Sequence, residues 1–184
     1  MAKLPGRVYT TKAGGRGVMQ DFSGGLPAES LSNLAHSLIH NIANLADHLK
    51  KWARKNEKDK NLVDDAIKSS FELQVLLDLS NNDKHGYPPR DGGHSGRAPR
   101  LLNPRRVMRL TTGAGKGSAV MMTLARDGQP VIRGSGSGKA IVSGEVVDGD
   151  GEPIGDLYDI AATGLADWEA LLSEYGVGVN EASD

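Results

Sequence analysis

Apolar positions recur at helical spacing in three stretches of the chain. The first covers about residues 29–56, where apolar side chains in steps of four and three lead up to Trp52. The second covers about residues 60–85 and is apolar over most of its circumference. The third covers about residues 156–175, and Asp156 can cap its first turn. The pattern therefore predicts three helices with these bounds.

Between the second and third stretches the apolar period changes from helical spacing to short runs. Residues 107–150 contain several β-branched runs separated by glycine-rich or Asp-Gly turns, which is typical of antiparallel hairpins. Long helices joined by short polar turns pack antiparallel. We therefore predict an α+β fold, in which a small antiparallel helical bundle carries an inserted antiparallel β-meander.

Three segments have the composition of loops or tails. Residues 1–27 combine glycine, proline and scattered cations, which indicates a flexible arm, although Val8–Thr11 could form a short edge strand. Residues 86–106 are rich in glycine, proline and arginine and indicate a basic, flexible linker. Residues 177–184 follow the last helix as a tail.

Composition excludes several classes of protein. The 184 residues include 22 basic and 23 acidic side chains, so a net charge of −1 gives the whole chain no bias towards nucleic acid or membranes. The absence of cysteine excludes disulfides and thiolate chemistry. No apolar run has the length of a membrane span, and the N-terminus lacks an apolar signal region. We expect a cytoplasmic protein without membrane contact, metal or cofactor.

The second predicted helix ends in an unusually polar run, Asp78–Gly86. Helix-end physics accounts for its last three residues, because Lys84 and His85 complement the helix dipole and Gly86 can adopt the left-handed conformation that stops a helix. The preceding amides are poor helix formers and remain unexplained. We interpret them as a polar network that ties the helix end to its surroundings, formed by Asp78, Asn81 and Asn82.

Two short motifs carry a resemblance to a known group of proteins. Residues 48–52 read His-Leu-Lys-Lys-Trp, and residues 78–85 read Asp-Leu-Ser-Asn-Asn-Asp-Lys-His. This pair resembles uncharacterised bacterial and phage helical proteins, in which an H-x-x-x-W helix precedes one that ends D-L-x-N-x-x-K-H. That group is similar to the HEPN superfamily, whose helical bundles include ribonucleases of toxin and defence systems and inactive binding members. The resemblance covers about residues 30–88 and implies a HEPN-like bundle.

The chain departs from the pattern of the active HEPN ribonucleases. Those enzymes have an Arg separated from the catalytic His by four to six residues, and no Arg stands at those positions before His85. Loss of that cation removes a group that would stabilise developing phosphate charge. The resemblance therefore implies a non-enzymatic interaction or regulatory protein, encoded by a phage or mobile element. The alternative is a metal-independent ribonuclease, with His85 as base, His48 as acid and Lys84 as the cation.

Other candidate sites are weaker. His36 and His40 stand one turn apart and could form half of a metal site, but no glutamate completes the motif, so solvated histidines are favoured. The Asp148–Gly151 turn lacks the terminal glutamate of a calcium loop. The glycine-rich runs at 113–118 and 134–140 lack the residue order of a P-loop.

The basic linker offers a third function, nucleic-acid binding through phosphate contacts. Its candidate residues are Arg90, Arg97, Arg100, Arg105 and Arg106. A thin three-helix core also makes a homodimer plausible, so the expected partners are a protein or a second copy of the chain, with RNA or DNA as the alternative.

Overall fold

The computed structural model of the chain describes residues 7–10, 16–21, 26–86, 90–113, 119–124 and 130–177. The helices within these ranges are α1 (Ala28–Lys55), α2 (Asn61–Ser69), α3 (Phe71–His85) and α4 (Leu157–Glu174). The strands are β1 (Arg7–Thr10), β2 (Arg16–Asp21), β3 (Arg100–Thr111), β4 (Val120–Leu124), β5 (Pro130–Gly134), β6 (Ser137–Val147) and β7 (Pro153–Asp156). A short 3₁₀ turn covers Arg90–Gly92.

The chain divides into two compact units. The helical unit consists of Ser32–Pro104 and Gly144–Asp184, and the sheet unit consists of Met1–Leu31 and Arg105–Ser143. Each unit therefore takes residues from two separate parts of the sequence.

The predicted fold class, a small HEPN-like helical bundle with an inserted β-meander, is wrong. Five strands form one antiparallel sheet in the order β1-β2-β3-β6-β7, and β4 pairs with β5 in a separate two-stranded sheet. The strands of residues 107–150 therefore do not form one meander, because β3 pairs with β2 and β6 whereas β4 and β5 pair with each other. Apolar periodicity identifies strands, but it does not report which distant strands pair.

The N-terminal strands explain part of this difference. Residues 1–27 have the composition of a flexible arm, yet β1 and β2 form a hairpin, and β2 continues the sheet by pairing with β3. In this register Val18 lies opposite both Val8 and Leu110. At the end of the pairing, the backbone N–H of Thr112 donates to the carbonyl oxygen of Arg16 at 2.8 Å.

A break at Ser70 divides the second predicted helix in two. Ser70 has extended backbone angles (φ −111°, ψ 113°), and its Oγ accepts a hydrogen bond from the backbone N–H of Leu73 at 3.1 Å, which caps α3. The same hydroxyl donates to Oδ2 of Asp167 on α4 at 2.6 Å. The apolar pattern continues through the break because both helices bury one face in the same core, so the pattern alone indicates one helix.

The core of the helical unit forms where α1, α3 and α4 meet. Trp168 is almost fully buried, and its indole N–H donates to the carbonyl oxygen of Ile42 at 3.2 Å. A Cβ on Gly164 would lie 2.8 Å from Leu76 and 3.2 Å from Leu73, so the glycine permits the close approach of α4 to α3. None of the described helices has the length and apolar composition that crossing a lipid bilayer requires.

Candidate functional site

Two histidines on α1 meet a carboxylate on α3. The Nε2 atom of His40 lies 2.6 Å from Oδ2 of Asp83, and its Nδ1 atom lies 2.8 Å from Oγ of Ser80. The Nδ1 atom of His36 lies 3.2 Å from Oδ1 of the same carboxylate. These contacts follow helical spacing, since His36 and His40 stand four residues apart and Ser80 and Asp83 three residues apart. We call these four residues the histidine cluster.

The two imidazoles of the cluster differ in their hydrogen bonding. Both ring nitrogens of His40 are engaged, which fixes the ring between Asp83 and the buried hydroxyl of Ser80. The Nδ1 atom of His36 is buried and lies at ion-pair distance from Asp83, but its geometry does not make a hydrogen bond. His40 is therefore a structural tie between α1 and α3, whereas His36 keeps hydrogen-bonding capacity.

An open cleft of about 350 Å³ lies beside the cluster. Its polar walls include the side chains of His36, Asp83 and Arg100. Its apolar lining comes from Leu79, Leu101 and Leu102, and Leu102 is 43% exposed. The cleft thus combines a carboxylate and an imidazole with accessible apolar surface.

The predicted catalytic residues do not assemble around this cleft. His36 and His40 of α1 both meet Asp83 of α3. One turn further along α1, Asn44 accepts a hydrogen bond from Lys84, the neighbour of His85. His48 is exposed and lies one turn beyond Asn44, and its pairing with His85 or with Asn81 stays a prediction.

The two residues next to His85 differ in outcome, since Gly86 stops the helix as predicted whereas Lys84 bonds to a residue of α1. The Nζ atom of Lys84 donates to Oδ1 of Asn44 at 3.3 Å, across to α1. Gly86 has φ 71°, and its backbone N–H donates to the carbonyl oxygen of Asn82 at 2.8 Å, which confirms the predicted stop. A catalytic role for His85, His48 or Lys84 stays a prediction.

Asp78 belongs to a different network from the amides with which it was grouped. Its fully buried carboxylate accepts hydrogen bonds from the backbone N–H groups of His94 and Ser95, each at 2.8 Å, and from the hydroxyl of Ser95 at 2.7 Å. Asn82 instead lines the cleft, and Asn81 is half-buried. The loop after α3 is therefore organised around Asp78, although its composition indicates a flexible linker.

The candidate arginines are divided between the two units. Arg100 donates to the carbonyl oxygen of Gly149 at 2.9 Å, and Arg97 lies 3.5 Å from the carboxylate of Asp148, both within the helical unit. Arg105 and Arg106 are half-buried in the sheet unit and already have partners. The side chain of Arg90 lies outside the described residues. Two of the five arginines, Arg97 and Arg100, therefore already bind groups of the helical unit, and phosphate binding by the set stays a prediction.

The rejected motifs have structural roles where they are described. Oδ1 of Asp148 accepts hydrogen bonds from the backbone N–H groups of Asp150 and Glu152, so the apparent calcium loop is a tight turn. A Cβ on Gly134 or Gly136 would lie within about 2.2 Å of a neighbouring carbonyl oxygen, which explains these glycines as close-packing positions. Residues 114–118 lie outside the described part of the chain. Within that part, no cluster of His, Asp and Glu is suited to a metal ion.

Two ionisable groups of the helical unit have shifted pKa values. A hydrogen bond from Lys50, whose Nζ lies 2.6 Å from Oδ1 of Asp64, lowers the pKa of Asp64 below its usual value. Burial raises the pKa of Tyr175, and the nearby Asp59 and Glu174 add to the effect. Neither group lines the cleft, so these shifts concern stability and not the candidate site.

Charge is unevenly divided between the units. The sheet unit contains 11 lysines and arginines against 3 acidic residues, which gives a formal net charge of +8. The helical unit contains the other 11 basic residues against 20 acidic residues, which gives −9. The overall charge of −1 conceals this separation.

The sequence indicates part of this site. His36 and His40 stand one turn apart, but no partner on the same helix completes a metal motif, so the sequence alone favours solvated histidines. The available signal was the i, i+3 pair Ser80 and Asp83 on the next helix. No protein-family model matches the chain, and no match was found among curated proteins or among solved structures.

Proposed function

We propose that this chain is a non-enzymatic interaction protein, and that the cleft beside the histidine cluster binds a basic segment of a partner protein. The observation that carries the proposal is the cleft itself, which is lined by both the Asp83 carboxylate and the exposed side chain of Leu102. A segment that places one apolar side chain on Leu102 and one cation near Asp83 would satisfy both kinds of group.

Charge supports a basic partner. The helical unit carries −9, so its field attracts cationic segments and repels acidic ones. The cleft also contains one cation, Arg100, but two backbone carbonyl oxygens, those of Asp148 and Gly149, accept hydrogen bonds from it. Each oxygen of Asp83 faces one histidine, His40 at 2.6 Å and His36 at 3.2 Å, and keeps a further lone pair for a cationic partner.

Hydrogen bonding and position disfavour catalysis by His40 and His48. A general acid or base needs a ring nitrogen that can exchange a proton with a substrate. Both nitrogens of His40 are already engaged, and His48 lies far along α1 from the cleft. The HEPN-like resemblance and the phage or mobile-element origin of the protein stay predictions.

Two synthetic peptides of equal length and apolar content test the proposal. One carries lysines and the other carries glutamates at the same positions, and binding is measured by fluorescence polarisation. We expect the lysine peptide to bind and the glutamate peptide to bind at least about tenfold more weakly, because like charges oppose association. Equal affinity for the two peptides would contradict the proposal.

A matched pair of variants locates the binding site. Leu102 in the cleft and Leu165 on α4 are each 43% exposed, and only Leu102 lines the cleft. Leu102→Gln should weaken binding of the lysine peptide by about tenfold, as expected for a central apolar contact, whereas Leu165→Gln should leave it unchanged. If both variants lose affinity equally, the cleft is not the site.

The ribonuclease alternative stays a prediction with its own test. The full chain and its His85→Ala variant are incubated with total RNA, without added metal, and the products are separated by size. We expect no cleavage by either protein. Cleavage by the unmodified chain that is lost in His85→Ala would overturn the non-enzymatic proposal, whereas equal cleavage by both would indicate another nuclease in the preparation.

A further inference from the structure

The sheet unit has an excess of cations that the cleft does not use. Its net charge of +8 comes from 11 basic residues within Met1–Leu31 and Arg105–Ser143. At physiological ionic strength the Debye length is about 8 Å, which is shorter than the dimensions of a folded unit of this size. A molecule bound at the sheet unit therefore experiences mainly the local positive charge.

Three of these cations are exposed on strands. Arg16 lies at the start of β2, Arg133 lies in β5, and Lys139 lies in β6. Within the described part of the chain, no carboxylate forms a salt bridge with any of the three. Exposed cations without a carboxylate partner can replace the counterions of a polyanion without first breaking an ion pair.

Accessible apolar groups accompany the cations. Met121 in β4 is 55% exposed and lies directly opposite Arg133 in the β4–β5 register. Directly opposed residues in an antiparallel pair share one face, so the ribbon presents a cation beside an apolar side chain. A two-stranded ribbon also has the width that the major groove of duplex DNA admits.

We propose that the sheet unit binds nucleic acid through the sugar-phosphate backbone, with the exposed cations Arg16, Arg133 and Lys139 contributing phosphate contacts. These three residues lie outside the arginine-rich segment 90–106, whose Arg97 and Arg100 bind groups of the helical unit. Binding of this kind is salt-dependent and indifferent to base sequence. It is independent of the peptide-binding cleft, because the two proposals use residues of different units.

Fluorescence polarisation of the full chain tests the proposal with labelled single-stranded RNA, single-stranded DNA and duplex DNA, each at several salt concentrations. We expect binding at low salt that weakens linearly on a log–log plot and does not depend on base sequence. Absence of binding at 50 mM salt, or affinity that does not change with salt, would overturn the proposal.

Two triple variants distinguish a local surface from a general effect of charge. The first is Arg16→Gln, Arg133→Gln and Lys139→Gln in the sheet unit. The second is Lys51→Gln, Arg54→Gln and Lys58→Gln, which removes three exposed cations from the helical unit. On single strands the first should reduce the salt slope by about 2, since each phosphate contact contributes about 0.7, and the second should leave the slope unchanged. Equal reductions in both would contradict a surface on the sheet unit.

Lipid vesicles test whether the sheet unit binds an anionic membrane instead of nucleic acid. Sedimentation with phosphatidylserine vesicles and with neutral phosphatidylcholine vesicles is measured under the same low-salt conditions. Retention of RNA binding in the presence of excess phosphatidylserine vesicles supports the proposal. Binding to these vesicles without binding to any nucleic acid would overturn it in favour of a membrane surface.

Discussion

At the scale of single residues, Asp78 has the clearest structural role among the polar residues of Asp78–Gly86, because it holds the loop that follows α3. A buried carboxylate is unfavourable unless its lone pairs are satisfied, and three donors from His94 and Ser95 satisfy this one. The carboxylate therefore fixes the loop that follows α3 against the helix. Gly93 completes the arrangement, because its φ of +75° and its lack of a side chain let the loop reach Asp78.

Substitution of Gly93 should be far more damaging than substitution of a neighbouring glycine. A Cβ on Gly93 would lie 2.3 Å from Oδ1 of Asp78, whereas a Cβ on Gly96, with φ +68°, would have no atom within 4 Å. Gly96→Ala should cost about 1 kcal/mol from backbone strain alone. Gly93→Ala should cost about 3 kcal/mol or more, because it also disrupts hydrogen bonds to a buried charge. Urea unfolding measures both, and equal losses would show that Asp78 does not hold this loop.

Tyr175 should make stability fall at alkaline pH. Its phenol is buried, donates to the carbonyl oxygen of Asp59 at 2.7 Å and packs on Trp52, and burial raises its pKa above the ordinary value near 10. Above pH 10 the unfolded chain loses this proton before the folded chain does. The folded state then binds more protons, so the free energy of unfolding decreases as pH rises.

The Tyr175→Phe variant isolates this effect. The substitution removes the titrating hydroxyl group and keeps the aromatic ring. At pH 8 its free energy of unfolding should be lower than that of the unmodified chain by about 1 kcal/mol, because the hydrogen bond is lost. The difference between the two proteins should shrink as the pH rises above 10. A constant difference across this range would mean that Tyr175 does not titrate differently in the folded state.

At the scale of elements, Ser70 shows why one predicted helix is two. The residue combines the cap of α3 with a hydrogen bond to Asp167 of α4, so a single hydroxyl fixes both the break and the position of a third helix. A serine within a helical pattern can cap a new helix, but serine also occurs inside continuous helices. The hydrogen bond to Asp167 on α4 favours the cap, and the local sequence around Ser70 does not reveal that partner.

Ser70→Ala should separate these two roles. Loss of the cap and of the contact with Asp167 should cost about 1–2 kcal/mol in urea unfolding. Asp167→Ala removes only the contact, so it should cost less. In the double variant the two losses should be less than additive, because both single variants remove the same hydrogen bond. Strict additivity would show that the hydrogen bond between Ser70 and Asp167 contributes nothing to stability.

The sequence predicts helices better than it predicts the sheet, for a physical reason. The stretches at 29–56 and 156–175 have local 3.6-residue periodicity and caps, and α1 and α4 lie within about two residues of those bounds. The pairing of β2 with β3 joins residues as far apart as Arg16 and Thr112, and short strands with few apolar residues do not encode such a partner. The histidine cluster was missed for the same reason, since His40 and Asp83 belong to different helices.

At the scale of the whole molecule, the separation of charge is the dominant property. A chain with net charge −1 would bind weakly to any ion exchanger if its charges were evenly mixed. This chain instead carries +8 on one unit and −9 on the other, so each unit can act as a separate charged surface. The composition gives no sign of this, because the two units are assembled from alternate parts of the sequence.

Ion-exchange chromatography tests charge separation without any assumption about the biological partner. At pH 7.5 and low salt, the full chain should be retained on a sulfonate resin despite its negative net charge, because local surface charge governs adsorption. The triple variant of the sheet unit, Arg16→Gln, Arg133→Gln and Lys139→Gln, should elute at clearly lower salt. The matched triple variant of the helical unit, at Lys51, Arg54 and Lys58, has the same net charge and should elute with the unmodified chain. Elution of the two triple variants at the same salt concentration would mean that net charge, and not its separation between the units, governs the behaviour of the molecule.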